Sequence, residues 1–149
     1  MKPRTQFLIV VGLSILIFGI TWHSFSRRNQ EPAQFLPATI NRDCAPWDGS
    51  AFTVSIPLDN GTIINISIWQ SPDIKFPKTF LFPDDTGQVG NANLISANGE
   101  YETLSGEVQF EGVRETLPIE GRFRLKSERG GEFVGQFKAE WGSQVTMCG

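Results

Sequence analysis

The 149-residue sequence contains a single histidine, His23, and only two cysteines. Histidine is the usual general base beside a serine or cysteine nucleophile, and it is also a common zinc ligand. His23 lies in an uncharged N-terminal stretch, and neither cysteine has a second cysteine or histidine nearby in the sequence. This argues against a triad hydrolase and against a zinc site, and we expect no cofactor.

One short motif resembles a catalytic site. Asp85-Thr86-Gly87 follows the apolar run 80–82 and resembles the Asp-Thr-Gly of aspartic proteases, in which two carboxylates share a proton. It departs from that family because Pro83 and Asp84 intervene, and Gln88 replaces the small residue expected next. The alternative is a surface turn, since these are common turn residues. We predict a non-enzymatic protein, with an aspartyl-type hydrolase as the enzymatic alternative.

The longest hydrophobic run covers residues 7–25. The residues that flank it are basic: Lys2, Arg4, Arg27 and Arg28. At about 1.5 Å per residue, a helix of this length nearly spans a hydrocarbon core of roughly 30 Å. We predict that residues 1–28 form a transmembrane signal anchor. The alternative is a cleaved signal peptide, because the Ser-Phe-Ser of residues 24–26 offers small residues at the cleavage positions.

The charge and the cysteines of the remaining chain indicate where it works. After residue 28 there are nine basic and sixteen acidic residues, a net charge of −7, which argues against a nucleic-acid binder. Cys44 and Cys148 bracket this part of the chain, and such a pair suits a disulfide in an oxidising compartment. We predict a single-pass membrane protein whose C-terminal domain is extracytoplasmic, in a bacterial periplasm, a lumen or the cell exterior. Two unrelated thiols are the alternative to the disulfide.

Beyond the anchor, the sequence is divided into a spacer and one domain. Residues 29–42 contain two prolines and no hydrophobic periodicity, which predicts a flexible linker. We place the folded domain at residues 43–149, a length that suits one hydrophobic core. No segment after residue 25 has helical periodicity, so we predict an all-β domain.

A hairpin is predicted near the start of this domain, because apolar and polar residues alternate over 52–58 and again over 64–68. A two-residue turn would set apolar residues opposite polar ones on the same face. A three-residue loop over 59–61 instead opposes Ile56 to Ile64 and leaves its final glycine in the left-handed conformation. We therefore predict the three-residue loop.

The C-terminal half repeats one pattern three times: an apolar residue, a glycine two positions later, and two more apolar residues at alternate positions. The repeats begin at Leu104, Ile119 and Phe133. A glycine on the apolar face allows strong bending or the close approach of a large ring. Further short apolar runs lie at 79–82, 93–96 and 145–148. We predict about eight strands, in a small antiparallel β-sandwich or an up-and-down barrel-like meander.

Two loops are candidate docking elements. Residues 71–78 interrupt the strand pattern with apolar residues between prolines, and such a loop can bind a partner. The alternative is a connection that folds these apolar residues over the open end of the core. A second candidate loop covers residues 84–93. The candidate interaction residues are Ile74, Lys75, Phe76, Lys78, Asp84 and Asp85.

A row of basic residues, Arg122, Arg124 and Lys126, lies on the polar side of one predicted strand. It could meet an anionic partner, or it could form ion pairs with acidic residues on neighbouring strands. The sequence favours the ion pairs, because Glu107, Glu120, Lys138 and Glu140 fall on the matching faces of neighbouring strands.

Taken together, these features predict a membrane-anchored extracytoplasmic β-domain that acts as a non-enzymatic protein-interaction or accessory module. Its predicted partners are the membrane, through the N-terminal helix, and a protein of the membrane or cell envelope. The alternative is a small barrel that carries or senses an apolar ligand inside a cavity lined by aromatic rings. The organisation resembles that of many bacterial envelope proteins, which is a likeness of architecture and implies location only.

Overall fold

The computed structural model describes residues 34–47, 49–70, 75–114, 117–143 and 146–148. The predicted anchor over residues 1–28 lies outside them, and so does Ile74 of the predicted docking loop. Within the part of the chain that the structure describes, no helix has the length and hydrophobicity that crossing a bilayer requires.

The described chain forms eight β-strands, which confirms the all-β prediction. They are β1 (Phe35–Cys44), β2 (Ser50–Pro57), β3 (Ile63–Ile68), β4 (Lys78–Phe82), β5 (Gly90–Ile95), β6 (Tyr101–Phe110), β7 (Ile119–Ser127) and β8 (Glu132–Trp141). Seven strands close into a barrel in the order β6-β5-β3-β2-β1-β8-β7, with β7 pairing back onto β6. Strand β4 adds to the half of β6 that β5 leaves unpaired. The fold is therefore a closed barrel and not a sandwich.

The N-terminal strand β1 closes this barrel. It pairs antiparallel with β2 and parallel with β8, so the barrel is not a simple antiparallel meander. Residues 35–42, which the sequence placed in the linker, belong to this strand, and the folded domain begins earlier than residue 43. The strand was hidden in the sequence because Ile40 is its only fully buried side chain, so the alternation of apolar and polar residues is weak.

The predicted hairpin is formed by β2 and β3 with the predicted register. Ile56 pairs with Ile64, and Val54 pairs with Ile66. The loop has three residues, and Gly61 at its end has a φ of 76°, in the left-handed region. Both the register and the loop length are therefore confirmed.

The three C-terminal repeats form the antiparallel meander β6-β7-β8, as predicted. Two of the three glycines in its repeats lie beneath aromatic rings: a Cβ at Gly121 would be 2.5 Å from Cζ of Phe137, and a Cβ at Gly135 would be 2.9 Å from Cζ of Phe123. At Gly106, a Cβ would instead meet the backbone of Arg124. Each ring thus occupies the space that a side chain on the neighbouring strand would need. The predicted close approach of large rings is confirmed.

The predicted strand over residues 145–148 is not found, since its described residues 146–148 pair in no ladder. They are held instead by Cys148, which forms a disulfide with Cys44 over a Cα–Cα distance of 5.5 Å. The hydroxyl of Thr146 also donates a hydrogen bond to the backbone oxygen of Arg42, at 2.9 Å. The disulfide is confirmed, and it indicates an oxidising, extracytoplasmic environment.

Inward-facing side chains divide the barrel into two halves. The aliphatic half, β1, β2, β3 and β5, is filled mainly by branched residues: Ile40, Val54, Ile56, Ile64, Ile66 and Ile68. The aromatic half, β4, β6, β7 and β8, is filled largely by phenylalanines: Phe80, Phe82, Phe110, Phe123 and Phe137. The ring of Phe110 lies at the centre, with centroids 5.6 to 6.4 Å from those of Phe52, Phe76, Phe80 and Phe137. The middle of the barrel is therefore packed with side chains.

The two ends of the barrel carry different connections. The strand directions place the short β2–β3, β5–β6 and β7–β8 turns at one end, together with the start of β1. The longer β1–β2, β3–β4 and β6–β7 connections and the disulfide lie at the other end. We call the latter the disulfide end.

Candidate interaction surface

The outer face of the aromatic half carries the predicted basic row. On β7, exposed Arg122, Arg124 and Lys126 alternate with buried residues that face the core. Because successive side chains of a strand point to opposite faces, these three lie on one side, about 6.7 Å apart along the strand. The sequence prediction of a common face for these cations is confirmed.

Strand register brings other residues beside the middle cation. A straight row across four strands places Leu81 opposite Glu107, Glu107 opposite Arg124, and Arg124 opposite Val134. The next row contains Thr79, Gln109, Arg122 and Gln136. The surface is therefore assembled from four strands that are distant in sequence.

A groove runs along these rows. One cavity of about 370 Å³ is lined by residues that include Arg122, Arg124 and Val134. A second cavity, of about 410 Å³, is lined by Leu81 and Lys126 among others, and both cavities share Glu107 and Arg124. We call this surface the Arg124 groove; its defining residues are Leu81, Glu107, Arg122, Arg124, Lys126 and Val134.

The charged groups of this face differ in how they are paired. Arg122 donates from Nε and Nη2 to Oε1 of Gln109, at 2.9 and 2.6 Å. Beside the groove, Nζ of Lys138 lies 3.1 Å from Oε1 of Glu120 in a half-exposed ion pair. Among the described residues, the expected cross-strand ion pair is therefore formed by Lys138 and Glu120, and by none of the three cations of β7.

Arg124 and Lys126 are not paired in this way. Arg124 lies opposite Glu107 and Lys126 lies opposite Glu132, yet within the described residues neither cation has a hydrogen bond or an ion pair. Both are exposed, so water solvates them at little cost. They are the two cations of the groove whose donors remain available.

Two apolar side chains lie in the same row as Arg124: Val134 is next to it on β8, and Leu81 is two strands away on β4, beyond Glu107. Leu81 is 60% exposed and Val134 is 64% exposed. Exposed aliphatic residues are ordinary when they are scattered, but here they lie in one row with an arginine and beside a concavity. The groove therefore offers both apolar surface and positive charge.

The outer face of the aliphatic half has a different composition. Two rows of directly paired residues cross β1, β2, β3 and β5, and all eight residues are serine, threonine or asparagine. One row is Thr39, Ser55, Asn65 and Asn93, and the other is Asn41, Thr53, Ser67 and Asn91. Several bond to each other: the hydroxyl oxygens of Thr53 and Ser67 are 2.9 Å apart, and Asn93 donates to Oδ1 of Asn91 at 3.1 Å. We call this surface the neutral face.

The predicted docking loop over residues 71–78 is placed differently by the structure. Lys75 is exposed, but Phe76 is partly buried, with its ring 6.4 Å from that of Phe110. Lys78 donates from Nζ to Oε1 of Gln70 at 2.8 Å, and its Nζ lies 4.9 Å from the ring centroid of Phe80. Phe76 thus follows the alternative interpretation and covers the end of the core.

The other predicted residues, Asp84 and Asp85, lie beyond the far end of β4, about 13 Å along the strand from Lys78. Asp84 begins a turn: its backbone oxygen accepts a bond from Gly87 at 3.2 Å, and its Oδ2 accepts one from Thr86 at 2.7 Å. Asp85 is exposed in that turn. The Asp-Thr-Gly motif therefore forms the surface turn that the sequence offered as its alternative.

Two tryptophans lie at the disulfide end and outside the barrel centre. Trp47 is half exposed and packs edge-to-face on Trp69, with centroids 5.6 Å apart. A third, Trp141, donates from Nε1 to the backbone oxygen of Arg114 at 2.8 Å. The tryptophans thus hold connections of the disulfide end in place.

Sequence reasoning found the basic row but missed the groove around it. Leu81 was not singled out, because its place in the row of Arg124 depends on the pairing of β4 with β6 across about 25 residues. Val134 was not singled out either, although the local pairing of β7 with β8 places it opposite Arg124. Comparison with known proteins adds no further residue, since no protein-family model, no curated protein and no solved structure matches this chain. The surface is therefore interpreted from its own geometry.

Proposed function

We propose that this chain is a membrane-anchored, extracytoplasmic module that binds a partner protein through the Arg124 groove and catalyses no reaction. The groove carries the proposal, because it combines a concavity, two cations whose side-chain donors are available, and two exposed apolar side chains in the row of Arg124. Protein interfaces combine these elements: an apolar centre, polar contacts around it, and frequent use of arginine.

The scaffold beneath the groove supports this function. Groove residues are carried by four strands over a core of packed phenylalanines, so their backbone positions are set by ladder pairing. A site on strands is better pre-organised than a site on loops, and less conformational entropy is lost when a partner binds. The predicted anchor would add a high local concentration at the membrane to a modest intrinsic affinity.

The alternative function, an apolar ligand held inside the barrel, is supported by no observation on the described residues. Phe110 and its four aromatic neighbours occupy the centre where such a ligand would lie. The grooves described above are lined by outward-facing side chains and open to solvent.

Site-specific photo-crosslinking tests the proposed function. A photoreactive residue replaces Val134 in the groove or, as the matched control, Ser55 on the neutral face of the full-length protein in its native membrane. We expect one discrete adduct from position 134, identified by mass spectrometry as the same protein in repeated preparations and removed by excess unlabelled protein. Equal adducts from both positions, or none from position 134, would contradict the proposal.

A further inference from the structure

We infer that the Arg124 groove binds an extended acidic segment of the partner, in which carboxylates at alternate positions face the cations of β7. This inference rests on the proposed function, because it names the chemistry of the partner at the same surface. It is carried by three properties of the groove: the spacing of its cations, their pairing, and the apolar residues beside them.

The spacing of the cations matches an extended peptide. Arg122, Arg124 and Lys126 occupy alternate positions of β7, so their Cα atoms repeat at about 6.7 Å. An extended peptide presents alternate side chains on one face with the same repeat, whereas an α-helix repeats every 5.4 Å or so. A segment that lies along β7 can therefore bring three successive carboxylates to three cations.

The pairing of the cations leaves donors for these carboxylates. The side-chain donors of Arg124 and Lys126 have no partner among the described residues. Arg122 uses two N–H donors on Gln109, which fixes its guanidinium and leaves three of its five donors for a second acceptor. The groove thus presents one pre-oriented cation and two that are available without breaking an existing bond.

The charge of the chain supports an acidic occupant. Beyond residue 28 the net charge is −7, so the three cations of β7 are a local exception on an acidic protein. An acidic segment is attracted to the groove but repelled by most of the remaining surface, which confines it to one site.

Two features favour a peptide over a uniform polyanion such as polyphosphate. Glu107 lies in the groove directly opposite Arg124, and it repels a ligand that carries negative charge at every position. Leu81 and Val134 offer apolar surface that a polyanion cannot use. A peptide with glutamates at alternate positions carries no charge at the positions between them, and the methylene groups of its glutamate side chains can cover Leu81 and Val134.

The test measures binding of a fluorescent nine-residue peptide of alternating glutamate and valine to the full-length protein in detergent, by fluorescence anisotropy at low salt. We expect saturable binding, at least ten-fold weaker binding of the corresponding lysine–valine peptide, and several-fold weakening when salt is raised from 50 to 500 mM. The salt effect follows because the screening length shortens from above 10 Å to well below it. Tighter binding of polyphosphate than of the peptide would overturn the inference.

Charge reversal locates the binding site. We expect Arg124→Glu to weaken the peptide about ten-fold and Arg124→Met, which keeps the apolar stem, to weaken it about three-fold. The matched control is Lys75→Glu, an identical charge change at an exposed residue of the disulfide end, and it should stay within two-fold. An equal loss in Arg124→Glu and Lys75→Glu would overturn the inference, and unchanged thermal midpoints show that each variant is folded.

The two proposals fail in distinguishable ways. If the crosslink from position 134 persists in Arg124→Glu and the acidic peptide does not bind, the groove has a partner but the acidic segment is wrong. If position 134 gives no crosslink, the proposed function itself fails, whatever the peptide does.

Discussion

The two halves of the barrel fill one core with different side chains. In the aliphatic half, branched residues such as Ile64 and Ile66 point from the strands into the core. β-Branched residues are favoured in strands. In the aromatic half, glycines at Gly121 and Gly135 make room for phenylalanine rings from the neighbouring strand. Glycine beneath a ring lets strands bend sharply, so the aromatic half can supply the curvature that barrel closure requires.

The outer faces of the two halves differ as well. On the neutral face, side chains such as Thr53 and Ser67 bond to each other, so several of their polar groups are already paired. In the Arg124 groove, the side-chain donors of Arg124 and Lys126 have no partner in the described chain. The two faces differ less in how many polar groups they carry than in whether those groups are already hydrogen-bonded. We expect the partner to bind at the groove because unpaired donors are found there.

The largest effect is expected where the two halves are joined covalently. Cys44 ends β1 in the aliphatic half, and Cys148 follows β8 of the aromatic half, 104 residues later. Replacing both cysteines by serine should lower the free energy of unfolding by roughly 4 kcal/mol, because the open chain gains conformational entropy when it unfolds. Urea unfolding followed by tryptophan fluorescence measures this. Wild-type protein in reductant should match the double variant. A loss in the free energy of unfolding below about 1 kcal/mol would show that strand pairing holds the two halves together without the disulfide.

The next effect separates the two glycines of the aromatic half. A Cβ at Gly121 would lie 2.7 Å from the backbone oxygen of Gln109 as well as 2.5 Å from Phe137, whereas at Gly135 the nearest atoms belong to side chains. We expect Gly121→Ala to cost about 2 kcal/mol and Gly135→Ala about 1 kcal/mol or less, because a ring can shift and a paired carbonyl cannot.

The matched measurement in the aliphatic half is Ile66→Val, which removes one buried methylene and should cost about 1 kcal/mol. All three variants are compared by urea unfolding. Equal costs at Gly121 and Gly135 would mean that the ring contacts, and not the backbone, limit the packing of the aromatic half.

A smaller effect of opposite sign is expected on the neutral face. Oδ1 of Asn65 is buried without a hydrogen-bond partner in the described structure, and asparagine is disfavoured in strands. Asn65→Thr should therefore raise the free energy of unfolding by about 0.5 kcal/mol. The control is Asn93→Thr, which loses the bond from Asn93 to Asn91 and should show no gain. A loss in Asn65→Thr would indicate that this amide is satisfied in solution.

The smallest effect is expected for the ion pair beside the groove. Glu120 and Lys138 are both nearly half exposed, so Glu120→Gln should lower stability by no more than about 0.5 kcal/mol, and the difference should vanish in high salt. Substitutions on the neutral face should show no comparable salt dependence. A large, salt-resistant loss in Glu120→Gln would contradict the assignment of this pair as solvent-screened.

Features set by neighbouring residues could be predicted from the sequence. The β2–β3 register followed from which loop length keeps Ile56 and Ile64 on one face, and the meander followed from a repeated pattern. Strand β1 could not be predicted in the same way, because it is defined by its parallel pairing with β8, about 100 residues away, and by a single fully buried side chain.

The same distinction applies to the candidate site: some of its features follow from neighbouring residues, and others depend on pairing between distant ones. The basic row on β7 is visible as alternation, but the groove also needs Leu81, which the pairing of β4 with β6 brings from about 25 residues away. The docking loop was predicted because apolar residues between prolines look the same whether they bind a partner or cover a core. Phe76 covers the core, and only its contact with Phe110 reveals this.

The parallel joint between β1 and β8 also constrains the order in which the chain can fold. Among the described strands, the first to be synthesised pairs with the last, so the barrel stays open until β8 has emerged. The β2–β3 hairpin and the β6-β7-β8 meander involve only nearby residues and can form earlier. In the interval β1 and β8 expose strand edges able to pair with another chain, which makes this a vulnerable stage in biogenesis and the point where a folding helper would act.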